Sequence, residues 1–299
     1  MTSQELKDFW NATRSELDRV PTEAALAEAR PSEPFVMDTN VKTRTIYEVR
    51  LKSLGNVSIR AWYVVPANEP PLGGWPAIMV LPPYKEIMPL PLHLVPYGFA
   101  TLSLFPRGQS ISRSDWSVDL DTKVVNGAME PRIYYYRGAY MDCIRGMDFL
   151  SGRPEINKDR IGTWGLSAGG GLSLVTASLD HRVKAAVAAI PWPCDFQRGA
   201  SSNTFPFVQL RDYLDRNPSD REQVLRTLEF FDVVNLVDAI KCPVCIGAAT
   251  ADEMHPIDST LAACRRIQSK KTIFVYADLV HEYQTDFMFN ALTWMKRQL

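Results

Sequence analysis

Ser167 stands inside the run Gly165-Leu166-Ser167-Ala168-Gly169. Residues 161–164 (IGTW) ahead of it suit a buried strand, and residues 170–175 (GGLSLV) after it suit a helix. A serine in a G-x-S-x-G turn between strand and helix has the setting of a nucleophile elbow. Such a turn strains the central residue and brings backbone so close on either side that only glycine fits there. The hydroxyl stands clear at a helix N-terminus, where free N–H groups and the helix dipole favour negative charge. The chemistry this suggests is attack on a carbonyl carbon, once a base takes the hydroxyl proton.

In elbow sites the acid and then the histidine follow the serine along the chain. The chain has four histidines. His93 precedes Ser167, His181 falls in a loop entering a strand, and His255 sits ahead of a helix. His281 follows a strand pattern, residues 272–276, at its carboxyl end, where ligands meet in open α/β sheets. It is the candidate base. Asp252 stands just past the strand pattern of residues 243–250 and is short enough to hold an imidazole rigidly. It is the candidate acid, with Glu253 and Asp258 as alternatives, and its work would be to fix the histidine tautomer.

A developing oxyanion needs two N–H donors. The residue after the nucleophile, Ala168, supplies one from its backbone. The other is expected from the loop after residues 77–81 (AIMVL). Pro82 and Pro83 have no N–H, so Tyr84 is the first residue able to give one. Loss of such a donor typically costs ~3 kcal/mol of transition-state stabilisation. Arg107 and Gln109 occupy another strand-end loop, as site-shaping residues or as a salt-bridged turn. Trp192, at the end of the strand pattern of residues 184–190, either walls a small acyl pocket or belongs to the core.

These residues need a scaffold that brings strand ends together. Residues 6–19 read as a helix with Leu6, Phe9, Trp10, Thr13 and Leu17 on one face, followed by a linker to about residue 34. Alternating residues 43–51 and 57–65 around Gly55-Asn56 read as a β-hairpin. After them, wholly apolar strands at 77–81, 99–105, 161–164, 184–190 and 243–250 alternate with helical patterns near 88–97, 133–151, 261–267 and 282–298. Residues 110–132 read as an irregular active-site loop. Residues 195–239 show no strand pattern and read as a helical lid. The expectation is one α/β domain over 1–299: a mostly parallel sheet flanked by helices, with an N-terminal extension over 1–66 and the 195–239 insertion.

The bulk properties narrow the functions. A chain of 299 residues with net charge −1 and no basic stripe does not suit nucleic acid. No apolar run reaches the ~20 residues that cross a bilayer, so no membrane partner is expected. The N-terminal segment lacks the basic start and apolar centre of a signal peptide, which points to the cytoplasm. The five cysteines, Cys143, Cys194, Cys242, Cys245 and Cys264, form an odd, scattered set expected to stay reduced. Cys242 and Cys245 have redox or zinc spacing, but no second pair completes a metal site. No metal or cofactor is expected.

With these residues placed, the chain resembles the acetyl xylan esterase and cephalosporin-C deacetylase family, carbohydrate esterase family seven, of the α/β-hydrolase fold. The resemblance runs through LKDFW at the start, Arg107-Gly108-Gln109, YYYRGAYMDCIRGMDFL, RIGTWGLSAGGGL and RTLEFFDVVNLVDAIKCPV. It continues through Asp252 with Pro256 and Ser259-Thr260 to His281-Glu282. It implies a Ser167, Asp252 and His281 triad and a hole formed by the Tyr84 and Ala168 N–H groups. It also implies a small acetylated carbohydrate substrate, or cephalosporin C, and assembly as cytoplasmic hexamers. Two positions depart from the family pattern. Ala168 replaces the usual Gln, and Pro82-Pro83-Tyr84 replaces His-Gly-Tyr. A backbone donor survives the first change, but a pocket contact is lost.

Overall fold

The computed structural model describes residues 1–32, 35, 43–85, 88–282 and 285–299. Helix α1, Ser3–Asp18, opens the chain. Thr2 and Glu5 start it with a reciprocal capping box, each side chain accepting from the other's backbone N–H. Arg145 takes up carbonyls at its far end, donating to Leu17 and Val20. Strands β1 (Ala25–Glu28), β2 (Arg44–Ser53) and β3 (Val57–Pro66) follow as an antiparallel meander.

Strand β1 lies where the sequence suggests only a linker. It has four residues, none β-branched, and is mostly exposed. Its conformation comes from pairing with the free edge of β2, a partner that local sequence does not reveal.

The parallel part begins with β4 (Trp75–Leu81) and β5 (Ala100–Phe105). Between them the helical reading of residues 88–97 shrinks to a 3-10 turn over Leu92–Tyr97. Pro89, Pro91 and Pro96 each remove a backbone donor, so an α-helical ladder cannot form. Next come α2 (Tyr135–Ser151), β6 (Ile156–Leu166), α3 (Ala168–Leu179) and β7 (Val183–Ala189). The segment after β7 holds α4 (Phe196–Gly199), α5 (Phe207–Arg216), α6 (Arg221–Leu228) and α7 (Val233–Leu236). Its two ends are tied together by Asp232, which accepts from the N–H groups of Asp195, Phe196 and Val234 at 2.7–2.9 Å. The chain closes with β8 (Val244–Ala249), α8 (Ile257–Arg266), β9 (Lys271–Tyr276) and α9 (Thr285–Gln298). Tyr283 and Gln284, within the expected last helix, lie outside the described residues.

Among the described residues all nine strands join one sheet, ordered β1-β2-β3-β5-β4-β6-β7-β8-β9. The strands from β5 through β9 pair in parallel. Both faces are covered along β4, β5 and β8, which is why these strands are buried throughout rather than alternating. In β4, Ala77, Met79 and Leu81 join the core with α1, α2 and α3, while Ile78 and Val80 join the core with α9. In β7, Ala186 and Ala188 divide from Ala185 and Val187 in the same way. A mostly parallel sheet flanked by helices, with an elbow after a central strand, is the α/β-hydrolase fold.

Candidate active site

The elbow lies between β6 and α3. Ser167 has φ 55° and ψ −118°, a conformation that costs a non-glycine residue energy. Three hydrogen bonds hold it there. Its N–H donates to the Ala189 carbonyl at 2.9 Å, and its carbonyl accepts from Gly171 at 3.0 Å and Trp192 at 2.9 Å. The strain is therefore paid for by backbone bonds on both sides of β7's carboxyl end.

Two further strand ends converge on this hydroxyl. Just past β8 and β9 the chain is zipped together: the Thr250 N–H donates to the Tyr276 carbonyl and the Ala251 N–H to that of Leu279, both at 3.0 Å. The Asp278 N–H donates to the Thr250 hydroxyl at 2.8 Å. This places His281 beside Asp252, with Nδ1 2.7 Å from Oδ2. Its Nε2 lies 2.9 Å from Ser167 Oγ. An ionised carboxylate only accepts hydrogen bonds, so the imidazole proton sits on Nδ1 and Nε2 is left to accept from the serine. The other oxygen of Asp252 accepts from the His255 backbone N–H at 2.7 Å. Glu253 and Asp258, the alternative acids, are exposed, and Asp258 pairs with Arg198.

Tyr84 follows β4, with 4% of its surface exposed. Gln109 Nε2 donates to the carbonyls of Pro83 at 2.9 Å and Tyr84 at 3.1 Å. A trans peptide points its carbonyl and its N–H in opposite directions. Gripping the Pro83 carbonyl therefore sets the direction of the Tyr84 N–H. Among the described residues neither that N–H nor the Ala168 N–H donates to a protein acceptor. Arg107 belongs to the scaffold: it forms a forked, buried pair with Asp142 of α2 at 2.7 and 2.9 Å and donates to the Leu54 carbonyl. Trp192, 1% exposed, stacks edge-on against Tyr84 at 5.2 Å and packs on Phe207 at 5.4 Å. The insertion also reaches Tyr84 through Phe205 and through Gln209, which accepts from the Tyr84 hydroxyl. Sequence gave no sign of Gln209.

His255 is the other surprise. It is 1% exposed, and among the described residues neither ring nitrogen has a partner. Burial pushes its pKa down from 6.5 to about 4. The neutral ring is thus favoured in the fold, so this contribution to stability is complete above pH 6.5 and is lost as pH falls through 6.5 towards 4. The full difference is worth about 3 kcal/mol. His255→Leu is expected to remove it. Urea unfolding of both proteins at pH 7 and pH 4 checks this: the parent should lose about 3 kcal/mol more than the variant, and equal losses would refute the assignment.

A serine–histidine–aspartate chain at the carboxyl edge of this sheet, its aspartate buried and its serine and histidine partly exposed, is the geometry of acyl transfer. Comparison with known proteins agrees with the chemistry. Residues 1–298 match the family model described as acetyl xylan esterase (AXE1). The chain belongs to the acetyl xylan esterase family. It is 24% identical to acetyl esterase Axe7A of Xylanibacter ruminicola, over 99% of this chain and 67% of that protein. The acetyl xylan esterase from Paenibacillus sp. R4 superposes with a TM-score of 0.89 at 27% identity, covering 100% of both chains. Acetyl xylan esterase 1 from Thermoanaerobacterium sp. JW/SL YS485 gives a TM-score of 0.86 at 25% identity, over 98% of this chain and 93% of that one. Membership of the acetyl xylan esterase family makes this chain a serine-type ester hydrolase. Among its described residues no helix is long and apolar enough to cross a membrane.

Proposed function

We propose that this chain removes acetyl groups from small acetylated carbohydrates, xylo-oligosaccharides foremost, and that cephalosporin C is an ester open to the same chemistry. The observation that carries the reading is the unbroken hydrogen-bonded chain from Ser167 through His281 to Asp252. Ser167 Oγ attacks the ester carbonyl carbon as His281 Nε2 takes its proton. The carbonyl oxygen becomes an oxyanion held by the Tyr84 and Ala168 N–H groups. The C–O bond to the sugar then breaks, and His281 returns the proton to the leaving alcohol. Water attacks the acetyl-enzyme by the same route and acetate leaves. Asp252 keeps the imidazole oriented and stabilises it while it is charged. Residues 195–239 serve as the lid, and Trp192 walls the acyl side.

One observation favours a longer acyl group. An apolar cavity of ≈ 340 Å³ lies beside the elbow, lined by Pro83, Met88, Leu94, Trp164 and Leu166 among others. A series of p-nitrophenyl esters from acetyl to octanoyl, run beside acetylated xylo-oligosaccharides, separates the readings. We expect kcat/KM to be highest for acetyl and the oligosaccharides to be deacetylated. A maximum at longer chains, with the sugars untouched, would overturn the substrate assignment.

The proposal also places the protein in the cytoplasm as a hexamer. Its five cysteines are free and buried, as a reducing compartment allows. Val275 in β9 and Val280 just past it, each more than half exposed, are surface that self-assembly would cover. A monomeric mass by light scattering would contradict the assembly.

A further inference from the structure

Lys123 lies in the irregular segment of residues 110–132, yet it is 1% exposed. Its Nζ donates to the Tyr84 carbonyl at 2.7 Å. It also stands 3.8 Å over the centre of the Tyr84 ring and 5.6 Å from that of Tyr135. Among the described residues no carboxylate pairs with it. A buried, unneutralised ammonium is costly, and these two rings and one carbonyl are its compensation. The groups that face it come from four elements. Tyr84 and Lys85 belong to the loop after β4, Gln109 to the loop after β5, and Tyr135 to the start of α2. Asp119 and Asp121 lie on its own segment, where Asp121 is paired with Lys85.

We propose that Lys123 is a positioning residue for the oxyanion hole: its ammonium locks the Tyr84 carbonyl in place and leaves an uncancelled positive charge beside the peptide that binds the oxyanion. The proposal rests on the ester-hydrolase reading above. Two successive peptides are clamped, Pro83–Tyr84 by Gln109 and Tyr84–Lys85 by Gln109 and Lys123 together. With both carbonyls gripped, the Tyr84 N–H has one direction left. In a site shielded from water the nearby charge acts on the transition state far more strongly than it would in solvent.

Burial, with a smaller contribution from Lys85, pushes the Lys123 pKa down to about 7. The ammonium is present below that pH and is lost above it. Its help to the reaction therefore fades as pH rises through neutrality, and kcat/KM reports this for the free enzyme.

The test uses full-length protein, Lys123→Met and Lys123→Arg, with p-nitrophenyl acetate as substrate. Methylboronic acid, whose Ser167 adduct is a tetrahedral anion, serves as the probe of the hole. For Lys123→Met we expect kcat to fall about 30-fold, less than for loss of a direct donor, with KM little changed and boronate affinity reduced in parallel. The parent kcat/KM profile should carry a descending limb near pH 7 that Lys123→Met lacks. Lys123→Arg should recover rate and move the limb out of the neutral range. A Lys123→Met kcat close to the parent's, or the same limb in both proteins, overturns the proposal. Should Lys123→Met not fold, the parent profile and Lys123→Arg decide it, and an unmoved or absent limb counts against it. Failure of the parent itself to hydrolyse the ester or bind the boronate would instead defeat the ester-hydrolase reading.

Discussion

Ser167→Ala is expected to lower kcat on p-nitrophenyl acetate by roughly six orders of magnitude and to abolish labelling by a fluorophosphonate. The size follows from the arrangement. With the hydroxyl gone, His281 has no proton to take and Asp252 nothing to steady, so the three residues fail as one unit. Asp252→Asn alone should cost about four orders of magnitude. Here the surroundings dictate the reason. The His255 backbone N–H donates to one carboxylate oxygen at 2.7 Å and so requires an acceptor there. An asparagine must put its oxygen towards His255 and its NH₂ towards His281. The amide then donates to Nδ1, the imidazole proton moves to Nε2, and Nε2 can no longer accept from Ser167. The double variant should be scarcely worse than Ser167→Ala, whereas independent contributions would multiply. Residual turnover in Ser167→Ala near the parent's would mean that another group attacks the ester.

The candidate site could be assembled from sequence because each member stands at the end of a short apolar strand. Strand ends in a parallel sheet converge in space even when they are far apart in the chain. Ser167, Asp252 and His281 each sit within a few residues of such an end, and their side chains lie within hydrogen-bond reach of one another. The α/β-hydrolase fold was legible for the same reason, since wholly apolar strands alternating with helices leave little choice of architecture. What stayed hidden depends on partners that local sequence does not show. Strand β1 takes its conformation from the edge of β2. Lys123 falls in what reads as an irregular active-site loop, and it is the Tyr84 carbonyl and the rings of Tyr84 and Tyr135 that hold its ammonium inside. His255 carries no pattern that marks it as buried and unpartnered. Arg107 had two readings, and the carboxylate opposite it, Asp142, is 35 residues away in the chain.

Gly165→Ala is expected to be among the most damaging single-methyl changes in the molecule. A Cβ on Gly165 would lie 2.0 Å from the Gly169 carbonyl oxygen, 2.1 Å from its carbon and 2.7 Å from the Gly170 nitrogen. All three atoms are backbone in the first turn of α3, so no side chain can swing aside. The helix start must move, and it carries Ser167 and the Ala168 N–H with it. A loss of about 4 kcal/mol in stability is in line with overpacking where the neighbours cannot yield. The folded fraction should also be at least about 100-fold slower, because a displacement of 1 Å at the nucleophile is enough to cost that much. Gly55→Ala is the matched control. Gly55 has φ +70°, but an added Cβ there meets nothing within 4 Å. Only the cost of a left-handed alanine remains, about 1 kcal/mol, with activity unchanged. Urea unfolding and esterase assays on the two variants separate close approach from backbone strain. Equal, small effects at both positions would mean that the elbow has room to spare, since Gly165 itself does not have a positive φ.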